Sequence, residues 1–198
     1  MQSNELITWP TLCVFGDSIV VGSDDREGGG WVARLRLDFN SRERISVYNL
    51  GVDGDRSEQL LRRLAGEAAA RNASVIVVSI GTNDLGWHGT SGTDSALFRE
   101  RYEGILTEAG HFSGRILTLG ILNVDESNES HGVSNEQVLT FNEIIAELAR
   151  RHGAEFLDLY GMLEPEDFVD GLHPNTSGHA KLAPLIAREL ERLGWDLS

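Results

Sequence analysis

Three residues in this chain have the side-chain chemistry of an activated nucleophile. Ser18 closes an apolar run, Thr11-Leu12-Cys13-Val14-Phe15-Gly16-Asp17-Ser18, with Gly22 four residues on. A buried strand that ends on a serine places a hydroxyl at the rim of a sheet, where ligands gather. Near the other end stands Asp170-Gly171-Leu172-His173-Pro174-Asn175, an aspartate and a histidine three residues apart before a helix. A serine hydroxyl is a weak nucleophile until a base takes its proton. His173 has the right chemistry for that base, and Asp170 for holding the imidazole in the correct tautomer.

Attack on a carbonyl also needs donors for the oxyanion that forms. The candidates are the backbone N–H of Ser18, the backbone N–H of Gly54 and the side-chain amide of Asn83, which stand in three separate glycine-containing turns. Asp17, Leu85 and Trp87 flank these turns and are candidate substrate-binding residues. Leu85 and Trp87 would either line an acyl pocket or pack against its rim.

The elements that must position these residues alternate along the chain. Thr11–Phe15 reads as a strand, and Trp31, Leu35 and Phe39 fall on one helical face. Ile45–Leu50 reads as a second strand. Asp55 with Glu58 has the spacing of a capping box opening a helix to about Asn72, with Leu60, Leu61, Leu64 and Ala68 as its stripe. Val75-Ile76-Val77-Val78 has the continuous β-branched character of a central parallel strand. A helix from about Thr93 to Ala109 and a strand over Arg115–Gly120 follow. Ser134 with Gln137 caps a helix carrying Val138, Phe141, Ile145 and Leu148, and Ala154–Leu159 is a fifth strand. The last helix spans about Thr176–Leu193, where Pro184 is expected to kink or divide it. Five strands alternating with helices imply one doubly wound α/β domain over residues 1–198, with a parallel sheet in the order 2-1-3-4-5. That order crowds the turns after strands 1, 2 and 3 at one end of the sheet.

Four blocks in order across nearly the whole chain resemble the SGNH, or GDSL-type, esterases and lipases. They are Gly16-Asp17-Ser18 with Gly22, Asn49-Leu50-Gly51-Val52-Asp53-Gly54-Asp55, Gly81-Thr82-Asn83-Asp84, and Asp170-Gly171-Leu172-His173-Pro174-Asn175. The resemblance implies Ser18 as nucleophile, His173 as base, Asp170 as its partner, and an oxyanion hole of Ser18, Gly54 and Asn83. Gly54 is preferred to Gly51 because the family's donor precedes the aspartate of that block. Ile19 departs from the leucine of many members and keeps its apolar character. The implied activity is hydrolysis of small carboxylic esters through an acyl-enzyme, with neither metal nor organic cofactor. Lipases, thioesterases, arylesterases, sugar deacetylases and acyltransferases all occur in the family.

Composition bounds the alternatives. The net charge of −14, from 17 basic and 31 acidic residues in 198, opposes binding to nucleic acid or an anionic membrane. Cys13 is the single cysteine, so no intramolecular disulfide forms, and its place in a strand marks it as a buried thiol. No apolar run approaches the roughly 20 residues that span a bilayer. The opening Met1–Leu6 stretch lacks a basic and then apolar leader, which points to the cytoplasm. His88, His111, His131 and His152 read as solvated loop or helix-end residues, and His179 as a residue of the last helix. The acidic 123–132 segment reads as a surface loop or a lid over the site. A flavodoxin-like phosphate or FMN module is the competing reading of the turn after strand 1, and an inactive binding relative is another. The first leaves Asp170 and His173 without a role.

Overall fold

The computed structural model describes residues 10–42, 45–87, 90–128 and 131–194; the Met1–Leu6 stretch, His88 and Glu129 lie outside them. Five strands, β1 (Thr11–Gly16), β2 (Ser46–Gly51), β3 (Val75–Ser79), β4 (Ile116–Leu119) and β5 (Glu155–Leu157), form one sheet in the order β2-β1-β3-β4-β5. Every pairing is parallel, as expected for strands joined through crossover helices. The helices are α1 (Ser18–Val21), α2 (Gly30–Arg42), α3 (Ser57–Arg71), α4 (Ser95–Phe112), α5 (Asn135–His152) and α6 (Thr176–Arg192).

Strand alternation builds two cores. Leu12 and Val14 of β1 face one side with Val75, Val77, Leu117 and Leu119, where α2 supplies Trp31, Leu35 and Phe39 and α6 supplies Leu182, Ile186 and Leu190. Cys13 and Phe15 face the other side, against Leu60 and Leu64 of α3, Phe98, Tyr102 and Ile105 of α4, and Ile145 and Leu148 of α5. Both faces being covered explains why β1 and β3 read as unbroken apolar runs. Fully burying one such Phe or Leu side chain contributes about 1.5–3 kcal/mol, so truncating Phe15 would open a void at the middle of the sheet.

Two sequence expectations about helices are corrected. Asp55 does not cap α3. The box is set one residue later, where the Gln59 side chain accepts the backbone N–H of Arg56, because the Asp55 carboxylate is taken by Arg63. Pro184 does not divide α6, which runs unbroken from Thr176 to Arg192. The proline faces solvent, while Leu182, Ala183, Ile186, Ala187 and Leu190 bury the opposite stripe. Water can therefore satisfy the carbonyl that the missing N–H leaves free, and packing holds the helix together. The Ser134–Gln137 box of α5 forms as the spacing predicts, with reciprocal bonds of 3.3 and 2.9 Å.

Candidate active site

β1 and β3 end side by side, with Gly16 opposite Ser79. A Cβ on Gly16 would lie 2.2 Å from the Ser79 carbonyl oxygen and 2.3 Å from Val20 Cγ2. Only glycine lets the strand end this close to its neighbour and then turn. Asp17 caps the single turn of α1, its Oδ1 accepting the Ile19 N–H at 3.0 Å. Asn49 at the end of β2 ties that turn down: its Nδ2 donates to the Val20 carbonyl at 2.7 Å and its Oδ1 accepts the Gly51 N–H at 3.0 Å. Ser18 therefore stands at the C-terminal edge of the sheet on a short, braced turn.

The far end of the chain folds back onto it. Ser18 Oγ lies 3.0 Å from His173 Nε2 across 155 residues of sequence, and His173 Nδ1 lies 2.8 Å from Asp170 Oδ2. Asp170 Oδ1 accepts the backbone N–H groups of Leu172 and His173 at 3.0 and 2.8 Å. Burial pushes the Asp170 carboxyl up, but the hydrogen bonds from His173 and Leu172 and the nearby His173 charge outweigh it and hold the group below the ordinary carboxylate range. The chain keeps this loop in register by pairing Phe168 with Pro174 and bonding Val169 N–H to the His173 carbonyl at 2.9 Å.

Gly54 and Asn83 meet at one place. Asn83 Nδ2 donates to the Asp55 carbonyl at 3.0 Å, which leaves the second amide hydrogen free of that bond. Gly54 sits at φ +77°, a conformation that favours glycine, and no atom lies within 4 Å of where its Cβ would be. Asp84 anchors the Asn83 turn from below. Its carboxylate accepts the Ser57 N–H and hydroxyl at 2.7 Å each and the Thr93 hydroxyl at 2.8 Å.

Trp87 stands against His173, edge to face, with ring centroids 4.9 Å apart. Asp17 and Leu85 are buried, at 1% and 5% exposure. Asp17 Oδ2 has no hydrogen-bond partner among the described residues, and burial pushes this carboxyl up to about 7.

Sequence reasoning missed the supports. His131 is buried rather than solvated: its Nδ1 accepts the Val133 N–H at 3.1 Å and its Nε2 donates to the Asp125 carbonyl at 3.0 Å. The acidic segment has Glu126 and Ser127 at the surface and, where described, is bonded into the fold. It braces the Asp170–His173 turn, because Asp125 N–H bonds the Gly171 carbonyl at 2.8 Å and Asn128 Nδ2 bonds the Asp170 carbonyl at 2.8 Å. His179 is also fully buried, accepting the Trp31 N–H at 3.3 Å, and burial lowers its pKa. His111 is exposed and His152 half-buried. No local pattern distinguishes His131 from a loop histidine; its partners lie in the fold of its own loop. Among the described residues no group of three or more His, Cys, Asp or Glu side chains could hold a metal ion, and no helix is long and apolar enough to cross a membrane.

Comparison with known proteins places the chain in a family. The GDSL-like Lipase/Acylhydrolase family pattern matches residues 14–181, a span that includes all four blocks. The chain is 26% identical to GDSL esterase/lipase CPRD49 of Arabidopsis thaliana, over 94% of this chain and 80% of that protein. It is 26% identical to thioesterase 1/protease 1/lysophospholipase L1 of Escherichia coli K12, over 92% of this chain and 84% of that protein. The crystal structure of a lipase/acylhydrolase from Enterococcus faecalis superposes with a TM-score of 0.79 at 25% identity, covering 91% of this chain and 95% of the other. The chain belongs to the GDSL-like lipase/acylhydrolase family, a family of carboxylic ester hydrolases.

Proposed function

We propose that the chain hydrolyses carboxylic esters of short or medium acyl chain through an acyl-enzyme on Ser18. The observation that carries this is the continuous hydrogen-bonded line Ser18 Oγ–His173 Nε2, His173 Nδ1–Asp170 Oδ2, at 3.0 and 2.8 Å. His173 Nε2 takes the Ser18 proton as Oγ bonds to the carbonyl carbon. The carbonyl oxygen becomes an oxyanion facing the Ser18 and Gly54 N–H groups and the second Asn83 amide hydrogen. The C–O bond to the alcohol then breaks, and the departing oxygen takes the proton from His173. A water molecule repeats the sequence: His173 removes its proton, its oxygen attacks the acyl carbon, and the acid leaves as Ser18 Oγ recovers the proton. Asp170 stabilises the imidazolium at each step.

Chain length is argued from space. The cavity beneath the nucleophile turn, among Ile19, Ser79, Thr82, Ile121 and Leu122, amounts to about 10 Å³, room for about one water molecule. A long acyl chain does not fit in that cavity. Thioesters and acetylated sugars present the same small acyl carbon and fit the same geometry.

The test is turnover of p-nitrophenyl acetate, butyrate and octanoate, an acetylated sugar and an acyl thioester by the wild type and by Ser18→Ala. The expected result is activity concentrated on the short esters and lost in the variant, whose thermal unfolding is unchanged. Undiminished turnover by Ser18→Ala rejects the nucleophile; preference for the longest chain rejects the substrate class.

A further inference from the structure

One guanidinium joins the turns that follow β1 and β2. Arg63, on the second turn of α3, is largely buried, its side chain 17% exposed. Its Nη2 donates to the Gly16 carbonyl at 3.0 Å, its Nη1 to the Leu50 carbonyl at 2.8 Å and to Glu67 at 3.1 Å, and its Nε to the Asp55 carboxylate at 2.7 Å. Gly16 ends the strand that leads into Ser18, Leu50 is the penultimate residue of β2, and Asp55 follows Gly54. The Gly16 carbonyl also accepts the Val52 N–H at 3.0 Å, so Arg63 is its second donor, on the other lone pair of the oxygen. One side chain thus ties the C-terminal ends of two strands to the turn beyond. The Asp55 backbone carbonyl is meanwhile the acceptor for Asn83 Nδ2. Arg63 thus holds one side of the Gly54–Asp55 turn and Asn83 the other.

We infer that Arg63 is the positioning residue of the oxyanion hole, setting the Gly54 N–H and the Asn83 amide relative to Ser18 without touching substrate. This rests on the proposed role of Ser18 and of the three donors. The guanidinium suits the task because it is planar and donates in several fixed directions at once, which an ammonium on a flexible stem cannot do. An oxyanion donor stabilises the transition state far more than the ground-state ester. Displacing one should therefore lower kcat and leave KM nearly alone.

The experiment measures kcat and KM for p-nitrophenyl acetate in Arg63→Lys, Arg63→Met, Asn83→Ala, Arg63→Met/Asn83→Ala and Ser18→Ala. Each variant is assayed well below its own unfolding midpoint. Arg63→Met is expected to lose roughly 10- to 100-fold in kcat, as misplaced catalytic groups do. KM should move by less than about threefold. Arg63→Lys should recover part of the loss. The double variant should lose less than the product of the two single losses, since both residues hold one turn. If Arg63→Met does not fold, Arg63→Lys and its combination with Asn83→Ala carry the same comparison. A kcat within twofold of wild type in a folded Arg63 variant, a loss confined to KM, or multiplicative losses in the cycle would overturn the inference. Ser18→Ala separates the two readings. An inactive Ser18→Ala with near-normal Arg63 variants rejects Arg63 alone, whereas an active Ser18→Ala rejects the nucleophile and the role of Arg63 with it.

Discussion

Asp170 grips His173 at two places, with its Oδ2 on the imidazole Nδ1 at 2.8 Å and its Oδ1 on the backbone N–H of the same residue at 2.8 Å. The second bond fixes which oxygen faces the ring. It also makes the carboxylate difficult to replace.

Asp170→Asn should cost about 10³- to 10⁴-fold in kcat, the scale seen when a triad carboxylate becomes an amide. The Asn oxygen must take the Oδ1 position, because the NH₂ group would otherwise oppose two backbone N–H donors. The amide NH₂ then faces Nδ1 and donates to it. That leaves the ring proton on Nε2, where it blocks acceptance of the Ser18 proton. Kinetics on a p-nitrophenyl ester alongside calorimetry checks this: kcat should collapse while the unfolding temperature moves little. A variant retaining a tenth or more of the wild-type kcat would remove Asp170 from the mechanism.

Trp87→Ala should lower kcat by about 2- to 13-fold, the equivalent of 0.5–1.5 kcal/mol for a lost aromatic pair. The indole packed against it limits rotation of the His173 ring. Thr90 holds Trp87 in turn, its hydroxyl bonded to the Trp87 carbonyl at 2.7 Å and accepting the Trp87 N–H at 3.1 Å. Trp87→Phe keeps an aromatic ring at that place and should keep most of the rate. Equal rates for wild type and Trp87→Ala would leave the contact without catalytic effect.

Asp17→Asn should change how stability depends on pH. Burial raises the Asp17 carboxyl to about 7 in the folded chain, against 3.8 for a free aspartate side chain. The folded state therefore holds a proton that the unfolded state releases. The stabilisation is complete below the unfolded value and declines as pH rises through about 7. Asparagine does not titrate, and its oxygen can still cap the Ile19 N–H. Urea unfolding at several pH values should show the variant gaining on the wild type as pH rises from about 4.5 to 8. Stability curves that stay parallel across that range would contradict a buried, proton-holding Asp17.

The local part of this molecule was legible from the chain. β-branched runs marked Val75–Val78, turn glycines ended the strands, and the Ser134–Gln137 spacing marked the start of α5. Alternation of these elements was enough for the sheet order, because parallel strands with crossover helices admit few topologies. Spacing within Asp170–His173 also foretold a carboxylate on its own imidazole, since three residues in a tight turn leave few other geometries.

What the chain order did not carry were partners remote in sequence. Arg63 reads as one of two adjacent helix arginines, yet Arg62 is exposed and pairs with Glu58 while Arg63 binds the ends of β1 and β2. Asp55 reads as a cap and serves as an ion-pair partner; His131 reads as solvated and is buried. In each case a polar group has several acceptable local partners of similar free energy. Packing chooses among them, because a buried donor or acceptor left unpaired costs more than the local bond returns. The sequence by itself determined which residues could attack, accept a proton and donate to an oxyanion. Only the tertiary structure decided that the Ser18 hydroxyl would find His173 across 155 residues, and which side chains would hold them there.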